Sequence, residues 1–348
     1  MTHSALNHLA ETVQYNCNVS DARHGADDSL CIYLMKMREY FRWERRLPFG
    51  APLERQQVGE WLQAREELWE QLEHADLLPI EIDEQCYDPF DADAINRALA
   101  PQGLVYSGGL GTHGKPHFVL GDLEQHRRHG DRSVFIVADE YARDLSAPPA
   151  MTLGQSIFVR RESLRRMLWE KLESWRWSRP DNALGRAFAC YDFDNALDAS
   201  LDAMADREAH TLLLHEQGET LAGEQLGDAW GRLILDLAGT PAEIMARAVR
   251  DHLADCLVTI PHLAAKAQAA SIHFFVGQLT NMRKEIFPGL QDAYASWRHD
   301  GGLEGFDEVA ARGRAHWLSL AQAMLEIHRE QGAALDQAIR DLVQTRPL

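Results

Sequence analysis

The chain has 348 residues, 45% of them hydrophobic and 25% charged, enough for two domains or one large helical domain with an insert. Its 53 acidic and 35 basic side chains give a net charge of −18, which repels phosphate backbones and anionic lipid and so excludes nucleic acid and a membrane surface as default partners. Five cysteines at long spacings, with no CxxC, exclude a disulfide framework and a zinc ribbon.

The first residues, MTHSALNHLAETVQ, lack a basic stretch followed by an apolar one, and no run approaches a membrane-spanning length. A cytoplasmic protein is therefore expected, with any disorder confined to the first ~25 residues. Cys17, Asp21 and His24 would share a face if that stretch were helical, but Gly25 and the polar surroundings favour a loop.

Residues 28–46 read as a helix with Leu30, Leu34, Met37 and Phe41 on one face, ended by Pro48 and Gly50. A second amphipathic helix is expected over 53–76, carrying Val58, Trp61, Leu68 and Leu72, and a short one over 91–100. The pattern then changes to short β-branched and aromatic runs at 104–106, 117–120, 133–137 and 156–159, with a helical turn around 121–129. Residues 102–160 thus read as a β-rich insert, and Ala147-Pro-Pro-Ala as an extended arm. Helices resume at 161–177 and, behind an Asp181 cap, at 182–191. Four more follow near 196–238, 241–259, 262–286 and 303–345, the first breaking near Gly218 and the last near Gly332.

The loop GGLGTHGKP at 108–116 matches both a dinucleotide fingerprint and most of a phosphate loop. Both motifs need a helix directly after the loop, whose N-terminal amides and dipole hold the phosphate. Pro116 stands where the magnesium-binding hydroxyl belongs, and His117-Phe-Val-Leu looks like strand. A glycine-rich hairpin is the favoured reading, with nucleotide contact kept as a weaker one.

The most informative segment begins at Arg207. At 100° per residue, His215, Glu219, Ala222, Leu226, Trp230, Leu233 and Leu237 lie on one side, the last five forming an apolar stripe that should face the interior. Glu208 joins the stripe seven residues before His215, and Glu216 and His210 flank it. Buried charge needs a partner or a metal, so three readings compete: a structural His215–Glu219 pair, a metal site, or a metal-free acid–base or ligand site. Imidazole and carboxylate donors inside a bundle suit iron, manganese or zinc. Glu44, which continues the first helix's stripe, and His252, at the edge of the Val249, Leu253, Cys256 and Ile260 face, are the further candidate ligands. No Glu-x-x-His pair sits where a di-iron bundle would need it. Asp251, Asp255 and His262 align opposite the apolar face and read as solvated. No Ser–His–Asp or Cys–His nucleophile stands out.

Several long segments, SLCIYLMKMREYFRWERRLPFG, YARDLSAPPAM, RRESLRRMLWEKLESWRW, LLLHEQGETLAGEQLG and NMRKEIFPGL, resemble an uncharacterised bacterial protein family of unknown function over nearly the whole chain. The resemblance implies one intact bacterial protein and brings no activity, cofactor or catalytic residue.

The expected fold is α+β and mainly α: a helical bundle-like body from 1–101 and 161–348, with a small antiparallel β insert at 102–160. The favoured function is a metal- or small-ligand-binding helical protein, an oxidoreductase among its possible activities. Its candidate ligands are His215, Glu219, Glu216, Glu208, His210, Glu44 and His252. The alternative is a non-enzymatic scaffold that meets a protein partner through the β insert.

Overall fold

The computed structural model describes residues 2–24, 29–111, 114–330 and 334–348. They group into two compact units, Met1–Trp177 with Asp192–Ala209, and Ser178–Tyr191 with His210–Leu348.

The first unit opens with a helix, α1 (His3–His24), where the sequence reading expected a loop or disorder. Leu9, Val13 and Cys17 recur at i, i+4 and i+8 and enter a core with Phe118, Leu120, Val137 and Phe158. The rest of the inward face is polar. Asn16 closes two hydrogen bonds with the Leu78 backbone at 2.8 and 2.7 Å, Ser20 donates to the Pro116 carbonyl, and Asp21 takes the Lys115 ammonium at 2.9 Å. A buried face built from amides and carboxylate carries little hydrophobic periodicity, which is why the helix was hidden.

Helices α2 (Leu30–Glu44) and α3 (Arg55–Leu72) follow, as expected. The apolar stripe on α2 is only half used: Met37 and Phe41 are buried with Tyr40, whereas Leu30 and Leu34 are exposed. A hairpin, β1 (Ile80–Ile82) with β2 (Gln85–Tyr87), and a helix, α4 (Ala92–Leu99), lead into the sheet.

That sheet holds β3 (Leu104–Leu110), β4 (Pro116–His129), β5 (Arg132–Arg143), β6 (Ala150–Leu153) and β7 (Ser156–Arg160), in the order β3-β4-β5-β7-β6. It corrects two expectations. The β part is larger than a small insert, and the sheet is mixed, because β5 and β7 run parallel from Ser133↔Ser156 to Val137↔Arg160. The helical turn expected at 121–129 is the second half of β4, which bends through register shifts between Leu120 and Gln125 as it pairs with β5.

Helix α5 (Arg161–Ser178) ends the first stretch of this unit. In the second unit, α6 (Ala183–Phe188) is capped by Asn182, whose side chain accepts from the Gly185 amide, one residue beyond the expected Asp181 cap. Helix α7 (Leu197–Leu226) runs unbroken through Gly218, and the break falls at Gly227, with φ 67°, before α8 (Asp228–Asp236). Ala222, Leu226, Trp230, Leu233 and Leu237 are all buried, as the stripe required.

Helix α9 (Pro241–Ala254) passes into a π-helical turn at Asp255–Thr259. Then come α10 (Ile260–Lys266), α11 (Ala269–Gln278), α12 (Asn281–Ile286), α13 (Pro288–Asp300), α14 (Glu304–Glu330) and α15 (Leu335–Gln344). The single helix expected at 262–286 is three short ones, and α13 was not foreseen. The break expected near Gly332 lies outside the described residues. Trp317, Phe287, Val249 and Leu253 stand in the core of this unit.

Candidate functional site

Helix α7 carries His215, Glu216 and Glu219, and α9 with its π-turn carries Arg250, Asp251, His252 and Asp255. What brings the two rows together is Gly218. A methyl group there would overlap the Ala254 carbonyl oxygen, so only glycine lets the helix backbones approach this closely. The π-turn adds one residue to the helical register directly at Asp255, a local irregularity that recurs at functional sites.

The His215 ring lies at the centre. Its Nδ1 meets the Asp255 carboxylate at 2.8 Å and its Nε2 lies 3.5 Å from Glu219 Oε1. Arg250 reaches the same Glu219 oxygen at 2.5 Å and Asp251 at 3.3 Å. The second Asp255 oxygen accepts from Arg283 on α12. Asp255 is fully buried, while the side chains of His215, Glu219, Arg250 and Asp251 keep about a fifth of their surface, so the cluster has a dry floor and a wet mouth.

Burial alone would lower the His215 pKa, but the charge and hydrogen bond of Asp255, joined by Glu219, raise it well above the ordinary value. Burial would raise Asp255, yet His215 and Arg283 hold it down to about 2. Burial likewise pushes Glu219 up, and Arg250 with His215 keeps it below the usual carboxylate range. Asp251 is raised, first by burial and then by the Glu219 charge. The resting cluster is therefore an imidazolium and two guanidiniums facing three carboxyl groups.

One nitrogen and two oxygens, from His215, Glu219 and Asp251, lie within 4.8 Å of one another, a spacing that can hold a metal ion. The Asp255 contact is the outer carboxylate that orients a ligand histidine, because it fixes Nδ1 and leaves Nε2 for the metal.

The sequence-predicted residues divide. His215 and Glu219 form the site, and Glu216 is buried beside them, its charge adding to the field on Arg250. His252 is buried close by but faces another way: its Nε2 donates to the Arg283 carbonyl at 3.0 Å and its ring stacks on Trp317 at 4.9 Å. Burial, then the Arg283 charge, lowers its pKa well below the ordinary value, so the ring stays neutral. His210 is exposed and pairs with His262 at 3.2 Å. Glu208 is buried but belongs to the first unit. Glu44, also in the first unit, takes Arg65 at 2.6 Å and the Trp61 indole at 2.7 Å.

The reading of Asp255 as solvated is overturned, and Asp251 is only partly exposed, ion-paired to Arg250. The α9 face opposite the apolar stripe is covered by α7. The signal was present in the sequence: Gly218, directly before Glu219 in a long helix, marks close packing as readily as a break.

Other motifs are absorbed by the first unit. Gly108 and Gly109 lie within β3, and Pro116 begins a strand, so the helix a phosphate loop needs does not follow. Residues 112–113 of that loop lie outside the described residues. Its Lys115 ammonium is held by Asp21. Cys17 and Asp21 do share a helical face, but the Cys17 thiol donates to the Phe118 carbonyl, and burial raises its pKa well above the ordinary value. The proline arm is tied down, since Arg160 binds the Pro148 and Pro149 carbonyls, each at 2.8 Å.

Residues 8–160 match the N-terminal domain, and residues 165–346 the C-terminal domain, of a family of unknown function (DUF6866). No curated protein and no solved structure matches the chain. Among the described residues, no helix is long and apolar enough to cross a membrane.

Proposed function

The chain belongs to this family, and we propose that it binds a divalent transition metal through His215 Nε2, Glu219 and Asp251. The observation that carries the reading is the Asp255–His215 contact of 2.8 Å, which turns Nε2 toward two carboxylates drawn from two helices. A one-nitrogen, two-oxygen set with open positions suits iron, manganese or zinc. A bound iron or manganese would supply a redox centre, and that is the basis for an oxidoreductase as the activity class. The chain's own residues would orient the imidazole through Asp255 and hold Asp255 in place through Arg283. A reducing, cytoplasmic setting in a bacterial cell belongs to the same proposal, supported by cysteines at long spacings with no CxxC.

Arg250 supports a second reading, because its guanidinium already touches Glu219 and Asp251, where a metal would sit. On that reading the cluster is a charge-balanced brace between α7 and α9. Two measurements separate the readings. Elemental analysis of untagged protein, purified without chelator from cells supplied with iron, manganese and zinc, should give close to one metal per chain, and less than about 0.1 sinks the metal reading. Arg250→Ala should raise metal affinity if the arginine competes with the ion, whereas in a brace it only destabilises. Binding must also displace the His215 proton, so metal affinity should rise with pH and calorimetry in two buffers should detect released protons.

A further inference from the structure

The first unit holds a separate pocket of about 480 Å³, walled by Trp43, Phe49 and Tyr141 and by five arginines. Two of those arginines are buried and incompletely bonded. Arg143 is 1% exposed, and among the described residues its Nε and Nη2 have no hydrogen-bond partner. Its ion pair with Glu140 is 3.9 Å long, beyond hydrogen-bond reach. Arg166 is 6% exposed; its terminal nitrogens bind Glu170 and the Ser146 and Ala147 carbonyls, but its Nε has no partner among the described residues.

Buried N–H groups without partners cost free energy, and charged ones cost more. Burial and then the neighbouring Arg166 charge both lower the Arg143 pKa, so the two guanidiniums repel each other across a dry wall. The Arg143 guanidinium also lies 4.9 Å from the Trp43 ring and 5.1 Å from Tyr40, which are themselves stacked. Its face is thus packed and its edge carries the unmet donors.

We infer that this pocket is a binding site for a small aromatic carboxylate, whose charge is received by Arg143 and Arg166 and whose ring lies against Trp43 and Phe49. A carboxylate matches the guanidinium fork. The five lining arginines are matched by five lining carboxylates, so the lining carries no excess positive charge to favour a phosphate dianion, and recognition of a carboxylate rests on the unmet donors of Arg143 and Arg166. The volume is that of an ordinary small-molecule site.

The test titrates the full-length protein calorimetrically with benzoate, its neutral analogue benzamide, and inorganic phosphate, in wild type, Arg143→Met and Trp43→Leu. Saturable benzoate binding is expected, with benzamide at least about tenfold weaker and Arg143→Met weakening benzoate by about tenfold or more. Benzamide binding as well as benzoate, phosphate binding in its place, or no binding of benzoate up to about 10 mM overturns the inference. Circular dichroism checks that each variant folds. If Arg143→Met does not fold, Trp43→Leu decides: a loss of about fivefold supports the stacked ring, and an unchanged affinity overturns it.

Discussion

His215 and Asp255 hold opposite charges in a place where neither would survive alone. His215 keeps its proton more tightly in the folded chain than in the unfolded one. Its stabilising contribution is therefore complete below the ordinary histidine pKa of about 6.5 and fades as pH rises from there through the raised folded value. Asp255 works in the other direction. Its carboxyl is held down to about 2, so its contribution is complete above the ordinary value of ~3.9 and is lost as pH falls from there toward the folded value. The stability gap between wild type and His215→Gln should thus shrink as pH rises above about 6.5 into the alkaline range, as read by urea unfolding. A gap that stays constant over that range would mean that His215 is not charged in the fold. Asp255→Asn removes the negative charge that His215 and Arg283 share and should cost about 3 kcal/mol at neutral pH.

At the scale of the element, the decisive feature is the approach of α7 to the end of α9. Glycine in a helix interior ordinarily weakens it by up to about 1 kcal/mol relative to alanine. Gly223, also in α7, has nothing within 4 Å of where a Cβ would stand, so Gly223→Ala should stabilise the protein by up to about that amount. Gly218→Ala should do the reverse and cost about 2 kcal/mol, because the added methyl collides with the Ala254 backbone, which a rotamer change cannot relieve. Denaturant midpoints of the two variants, moving in opposite directions, would establish that one glycine is there for packing. In α1 the same logic runs through polar contacts. Asn16→Ala strands the Leu78 amide and carbonyl and should cost about 1–2 kcal/mol in the same assay.

At the scale of the molecule, charge sets behaviour before any site does. A net charge of −18 keeps the chain soluble near neutrality, and the sequence isoelectric point is about 5.3. Turbidity should therefore peak near that pH, where Asp255 is still ionised, so precipitation there should reverse on returning to neutral pH. An irreversible loss of helical signal at that pH would show instead that the fold fails first.

Much of the architecture was legible because burial leaves a periodic trace. The 3.6-residue stripe from Ala222 to Leu237 and the short β-branched and aromatic runs at 104–106 and 133–137 placed those elements correctly. His215 and Glu219, at the polar end of that stripe, lie together on α7. The sequence by itself thus determined a mainly helical α+β chain, its acidic surface and one half of the candidate site. The other half depended on what lies across from α9. Asp251 and Asp255 occupy the face that one helix alone would give to water, and only the close approach at Gly218 buries it against His215. The pocket around Arg143 has the same origin, since its walls come from α2, β4, β5 and α5, which no single run of sequence brings together. Periodicity reports which face of an element is apolar; partners for a charged face are chosen by tertiary contact.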